Sequence, residues 1–165
     1  MSRIEAGKLE FEFKTFDLKI SLQEISDTFS YSYSSHQLIT DLGEEPVHVR
    51  GDRHRLEQVV NNLLSNAQKY SPGADKIYLK LEVEKDVVLV KVLDEGIGLT
   101  PEQQNQLFTR FYRACNNSGI SGLGLGLYLS KQIIDAHEGR FLVNSESGKG
   151  SDFTFILPKD TPLEN

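Results

Sequence analysis

Three groups of residues could do chemistry in this chain, and they occur in a fixed order. Asn62, Asn66 and Lys69 share one stretch of helical periodicity. Asp94 is followed by Gly96 and Gly98, and Gly122, Gly124 and Gly126 alternate with Leu123, Leu125 and Leu127. A carboxamide oxygen can ligate a hard cation such as magnesium, which takes one or two protein oxygens and completes its shell with water and phosphate. A carboxylate held at a strand end accepts a hydrogen bond from an exocyclic amine such as that of adenine. Glycines beside it let the backbone come close to a flat ring. Glycine N–H groups at the start of a helix make an anion site. Each group also has an ordinary reading, as a solvated helix face, an Asp-Glu-Gly turn or a loop. In this order they describe a pocket for ATP and magnesium, closed by a glycine lid.

The elements that must position these groups are legible from periodicity. Asp52 is an N-cap for a helix running to about Tyr70 and ended by Ser71-Pro72-Gly73. Its Leu56, Val59, Val60, Leu63, Leu64 and Ala67 form one apolar face. At about 100° per residue, Asn62, Asn66 and Lys69 fall within an arc of roughly 60° beside that face, and Arg55 joins them. Residues 76–84 alternate and residues 87–93 are nearly continuous Val and Leu, so a hairpin turning at Lys85-Asp86 ends on Asp94, with its second strand the more deeply buried. Pro101 opens a short helical stretch through Leu107. Residues 114–122 have no periodicity and are expected to be a mobile loop. A helix over 125–137 is closed by Gly139, and strands over 140–145 and 152–157 turn at Gly148-Lys149-Gly150.

Toward the N-terminus, residues 2–8 read as the end of a helix stopped at Gly7. Residues 9–13 alternate as a strand, and Asp17 caps a helix whose Leu18, Leu22, Ile25 and Phe29 face one side. Residues 36–42 and 47–50 read as short strands. The sum is an α+β fold, a two-layer sandwich with a mixed sheet and helices on one face.

The bulk properties fit a single domain. The chain has 165 residues, 38% hydrophobic, enough for one core. A net charge of −6 with no basic stripe argues against a nucleic-acid or membrane-surface role. The single cysteine, Cys115, excludes an internal disulfide and fits a reducing compartment; it reads as an incidental loop residue. No apolar run approaches the roughly 20 residues that span a bilayer, and there is no signal-peptide pattern. The expectation is a cytoplasmic domain, or a cytosolic piece of something larger.

The glycine segment is not a Walker A loop, since no Gly-Lys-Ser/Thr follows, and it fits a Rossmann fingerprint poorly because polar loop precedes it. Arg113, after Phe108, Phe111 and Tyr112, is suited to forked contacts with phosphate. Taken together, these residues resemble the catalytic ATP-binding domain of bacterial two-component sensor histidine kinases, with the Bergerat fold that they share with gyrase, the mismatch-repair ATPases and a heat-shock chaperone. Residues 58–72, Gln-Val-Val-Asn-Asn-Leu-Leu-Ser-Asn-Ala-Gln-Lys-Tyr-Ser-Pro, look like the family's N box. Asp94-Glu95-Gly96-Ile97-Gly98 looks like its first glycine box, and residues 107–113, Leu-Phe-Thr-Arg-Phe-Tyr-Arg, like its F box. Residues 122–127 match its second glycine box, and Gly148-Lys149-Gly150-Ser151 its last.

The resemblance implies a mostly antiparallel mixed sheet under about three helices, and a role for each matched residue. Asn66 would ligate Mg2+, supported by Asn62; Lys69 and Arg113 would neutralise phosphate charge; Tyr70 would lie near the nucleotide. Asp94 would bind the adenine amine, helped by Gly96 and Gly98. Gly122, Leu123, Gly124, Leu125 and Gly126 would form the lid, and Ser151 would approach the base through water. Leu123 departs from the small Ser or Thr usual in the lid. The hydrolytic branch carries a glutamate where this chain has Asn62, and a carboxamide cannot act as a base, so the γ-phosphoryl would pass to another acceptor. That acceptor, a histidine in a helical His-Glu or His-Asp setting, is absent. His36, His48, His54 and His137 all read as structural.

Residues 1–8 would then be the tail of a dimerisation helix, 9–160 the ATP-binding domain and 161–165 a tail. Its partners would be ATP, the dimerisation and phosphoacceptor domain of the same kinase and, indirectly, a response regulator, with no nucleic acid and no direct membrane contact. The fragment alone would be monomeric. Three alternatives share the pocket: a regulatory module that binds ATP without transfer, an anti-sigma-type serine kinase, and an autonomous ATPase, which Asn62 disfavours.

Overall fold

The Val and Leu run that ends on Asp94 becomes the central strand of the sheet. A computed structural model of the chain describes residues 4–5, 8–32, 36–73, 75–108 and 125–160. In chain order the elements are β1 (Ile4–Glu5), β2 (Lys8–Leu9), β3 (Lys14–Asp17), α1 (Leu18–Ser32), β4 (Gln37–Asp41), β5 (His48–Gly51) and α2 (Arg53–Lys69). They continue with β6 (Lys76–Glu84), β7 (Val87–Asp94), α3 (Pro101–Gln106), α4 (Leu125–Ala136), β8 (Arg140–Glu146) and β9 (Gly150–Pro158). The main sheet has five strands in the order β4-β6-β7-β9-β8, antiparallel except for the parallel pair β4 and β6.

One face of that sheet is covered. Alternate residues Ile77, Leu79 and Leu81 of β6, Val88, Val90 and Val92 of β7, and Phe153, Phe155 and Leu157 of β9 are buried against the helices. α2 packs between α1 and α4 and supplies Leu56, Val59, Val60, Leu63, Leu64 and Ala67 to the same core. The other residues of β7, from Val87 to Leu93, are only half-buried. Its apolar run thus reflects a central position between β6 and β9 rather than cover on both faces.

The N-terminal segment differs from expectation. Ile4 and Glu5 pair antiparallel with Leu9 and Lys8 instead of continuing a helix. Helices shorter than about 12 residues are marginal without a packing partner. Residues 10–13 do not extend as a strand; the strand is β3, which pairs with β5 in its own two-stranded sheet. Side-chain contacts hold residues 10–13 in place of a ladder. Phe13 stacks on His137 at 4.7 Å, Phe11 meets the same ring edge-on at 5.6 Å, and Glu12 N donates to Asp52 Oδ2 at 2.9 Å. His137 is buried, accepts from Asp52 N through Nε2 and bonds the Ile133 carbonyl through Nδ1, a structural role as expected.

Asp52 caps α2 as its sequence position predicts, accepting from Arg55 N at 3.1 Å while its other oxygen anchors Glu12. Arg55 itself is buried rather than part of a solvated arc; Nη1 reaches Gln58 Oε1 at 3.5 Å, and Nη2 has no acceptor among the described residues. Asp17 plays the corresponding role at α1, where Oδ1 accepts from Lys19 N and Val47 N. Replacing Asp52 by Ala removes a cap and a tertiary bond together. Urea unfolding should show stability lower by about 1–2 kcal/mol with an unchanged m value.

Candidate functional site

The site is assembled where β7 runs out. Side chains alternate along that strand, so Asp94 points to the helix-covered face, in line with Val88, Val90 and Val92, and is 8% exposed. Across the sheet it lies opposite Ile77 on β6 and Ser151 on β9. Its Oδ1 accepts from Gly96 N at 2.9 Å, and the Ser151 backbone N–H also bonds the carboxylate. Burial nevertheless pushes the Asp94 carboxyl up to about 6, because the desolvation of the charge outweighs those two bonds and the nearby His36 imidazole.

The turn after Asp94 is fastened on both sides. Ile97 N donates to the Tyr70 carbonyl at 3.1 Å, and Gly148 N donates to the Ile97 carbonyl at 2.6 Å. Gly96 is required by this closeness: a Cβ there would sit 2.0 Å from the Tyr70 carbonyl oxygen. Gly98 has φ 69 and a Cβ would meet the Glu146 carbonyl oxygen at 2.0 Å. Leu99 N donates to Ser145 Oγ at 2.9 Å, and Ser145 Oγ lies 2.8 Å from Ser151 Oγ. Ser145 thereby links the turn to Ser151, a role that no sequence spacing announced.

α2 carries the other end of the site. Asn62 Nδ2 donates to the Gly126 carbonyl and to Ser130 Oγ, each at 3.4 Å, which ties the middle of α2 to the first turn of α4. Asn66, one turn on, is half-buried, and its carboxamide makes no hydrogen bond among the described residues. That leaves its oxygen available to a cation. Lys69 lies in the last turn of α2 and Tyr70 is its C-cap. From Asn62 to Tyr70 the helix rises about 12 Å, so one helix joins the Asp94 turn to the N-terminus of α4.

Of the residues singled out by sequence, the structure brings together Asp94, Gly96, Gly98, Tyr70 and Ser151 at one end, and Asn62 and Gly126 at the other. Leu125 starts α4. Arg113, Gly122, Leu123, Gly124 and Cys115 lie outside the described residues. A hollow of about 370 Å³ also borders Asp94, but Tyr78, Leu93, Asn144 and Asp152 in its lining belong to the uncovered face of the sheet. It is therefore on the side away from the carboxylate and is not the pocket read here.

Residues 51–161 match the family described as histidine kinase-, DNA gyrase B-, and HSP90-like ATPase. The chain is similar to the sensor histidine kinase WalK of Bacillus subtilis, with 31% identity over 96% of this chain and 27% of WalK. It is similar to the circadian input-output histidine kinase CikA of Synechococcus elongatus, with 35% identity over 99% of this chain and 22% of CikA. The chain thus spans about a quarter of those two relatives. In structure it is similar to the nucleotide-free catalytic domain of histidine kinase ThkA, with a TM-score of 0.78 and 28% identity, covering 90% of this chain and 98% of that domain.

The raised Asp94 carboxyl makes a signed prediction. Its ordinary value is 3.8 and its folded value about 6, so folding favours the protonated form. The stability this gives is complete below about pH 4, is lost as pH rises through about 6, and amounts to roughly 3 kcal/mol. The side-chain 13C carboxyl resonance of Asp94 should titrate near pH 6. Relative to Asp94→Asn, the wild type should lose stability by that order between pH 4 and pH 7.5.

Proposed function

This chain belongs to the histidine kinase-, DNA gyrase B-, and HSP90-like ATPase family, and from that premise we propose that it is the catalytic ATP-binding domain of a sensor histidine kinase in a two-component system. It would bind Mg-ATP and pass the γ-phosphoryl to a histidine on a separate dimerisation domain, from which a response regulator takes it. The observation that carries this reading is the buried, glycine-cradled carboxylate of Asp94, joined by α2 to Asn66, whose carboxamide has no hydrogen-bond partner among the described residues.

The residues fit the ligand at both ends. Asp94 is desolvated yet still ionised at neutral pH, so its free acceptor capacity suits the adenine amine. The missing Cβ at Gly96 lets the turn close onto Tyr70 and Ser71, which holds Asp94 in place for the base. Asn66 would hold magnesium, with the rest of the shell coming from water and phosphate. When bound, the metal draws charge from the phosphate oxygens. Lys69 and Arg113 would neutralise phosphate charge from the protein side, while Gly122, Leu123, Gly124, Leu125 and Gly126 would close over it. Asn62 holds α4 through Gly126 and Ser130 and offers no base to activate water. Transfer then depends on positioning and charge neutralisation, as in phosphoryl transfer generally.

Residues 9–160 would make up this domain. Among the described residues no helix is long and apolar enough to cross a membrane. We place the domain in the cytoplasm, monomeric when isolated.

Calorimetry with Mg-ATP should show binding that Asp94→Asn weakens roughly 10- to 100-fold, the scale of a lost charge-assisted bond. Asn66→Ala should abolish the gain in affinity that magnesium gives while sparing metal-free ADP. With labelled ATP and a cognate dimerisation domain, wild type should yield an acid-labile phosphohistidine. ATP binding with no label on any cognate acceptor would make the chain a regulatory nucleotide module, and acid-stable phosphoserine would make it a serine kinase.

A further inference from the structure

His36 stands immediately before β4 and is 8% exposed. Its Nε2 lies 3.0 Å from the Ser71 carbonyl oxygen and 3.1 Å from Ser71 Oγ. A carbonyl can only accept, and the Ser71 hydroxyl already donates its one proton to the Ala67 carbonyl, so Nε2 must carry a hydrogen. Ser71 is fully buried just beyond the C-cap of α2. It is also the residue against which Gly96 packs: a Cβ on Gly96 would lie 2.7 Å from Ser71 Cα and 2.8 Å from Ser71 Cβ. Gly96 N in turn donates to Asp94 Oδ1. One line of contacts therefore runs from His36 through Ser71 and Gly96 to Asp94.

We propose that His36 is a positioning residue for the base-binding carboxylate, fixing the end of α2 at Ser71 so that the Gly96 turn presents Asp94 to the nucleotide. The ligand in this inference rests on the ATP-pocket reading above; the geometry does not. An alternative, that His36 merely satisfies two buried acceptors, predicts no effect on Asp94. Yet the His36 imidazole also acts on Asp94, drawing its carboxyl down against the effect of burial. Other charged groups surround Asp94. Lys76 adjoins its β6 partner Ile77, Asp152 adjoins its β9 partner Ser151, Glu95 follows it in the turn, and Lys69 ends α2. Glu146 and Lys149, by the β8–β9 turn, pair with each other at 3.4 Å. Among the described residues His36 is the side chain that draws the Asp94 carboxyl down.

His36→Leu removes both the N–H and the imidazole; His36→Gln keeps an N–H of similar reach and removes the imidazole. Two quantities are read for each: the Asp94 carboxyl midpoint by 13C NMR in nucleotide-free protein, and affinity for metal-free ADP by calorimetry at pH 8. His36→Leu should raise the midpoint and weaken ADP binding about tenfold, and His36→Gln should raise the midpoint less and recover most of the affinity. An Asp94 midpoint unchanged from wild type in both variants overturns the proposal. Should His36→Leu fail to fold, the midpoint in His36→Gln decides alone, rising if the proposal holds and staying put if it does not. Should wild type bind no ADP, the ATP-pocket reading fails, and the midpoints in nucleotide-free protein still decide the role of His36.

Discussion

A single carboxylate removed from water at the end of β7 sets the terms for the structure around it. Asp94 is held at the boundary between sheet and helices by two backbone N–H groups, and the fold bears the cost of keeping that charge dry. Everything adjacent serves to keep the arrangement from relaxing. The Tyr70 carbonyl and the β8–β9 turn grip the following residues from opposite sides, and neither grip leaves room for a side chain at Gly96 or Gly98. A carboxylate placed this way costs desolvation that an apolar residue would not.

α2 turns that local constraint into a site of the right length. Its apolar stripe is pressed into the core between α1 and α4, which fixes the rotation of the helix about its axis. Asn62, Asn66 and Lys69 then leave the helix on one side of that stripe. Asn62 is bound to α4 while the Asn66 carboxamide has no hydrogen-bond partner among the described residues, so two identical side chains one turn apart have different surroundings. The helix also transmits in the other direction. Its last residues carry Ser71, which His36 holds, and the turn bearing Asp94 leans on the same point.

Sequence and structure agree over most of the chain and part at the N-terminus. The core of α2, the 76–94 hairpin, the capping by Asp52 and the order of the chemical groups could all be read from spacing, because each depends on local periodicity and on residues with strong positional preferences. Residues 4–5 and 8–13 could not. Their alternation of apolar and charged side chains fits a helix end or a strand equally well, and residues 11–13 are held by His137 and Asp52, at least 39 residues away in the chain. Arg55 fell on a polar arc by angle, yet neighbouring elements bury it. Ser145, Ser71 and His36 are ordinary residues in ordinary positions, and only their meeting across the chain gives them a part in the site.

By itself, then, the amino-acid sequence determined which residue types were present and at what local intervals, and hence the family and the α+β class. Those features are short-range, set by helical and strand geometry over a few residues. The dryness of Asp94, the division of labour between Asn62 and Asn66, and the His36–Ser71–Gly96 line were decided by tertiary structure alone. Each depends on desolvation or contact between segments distant in the chain, and such contacts exist only once the two layers have closed.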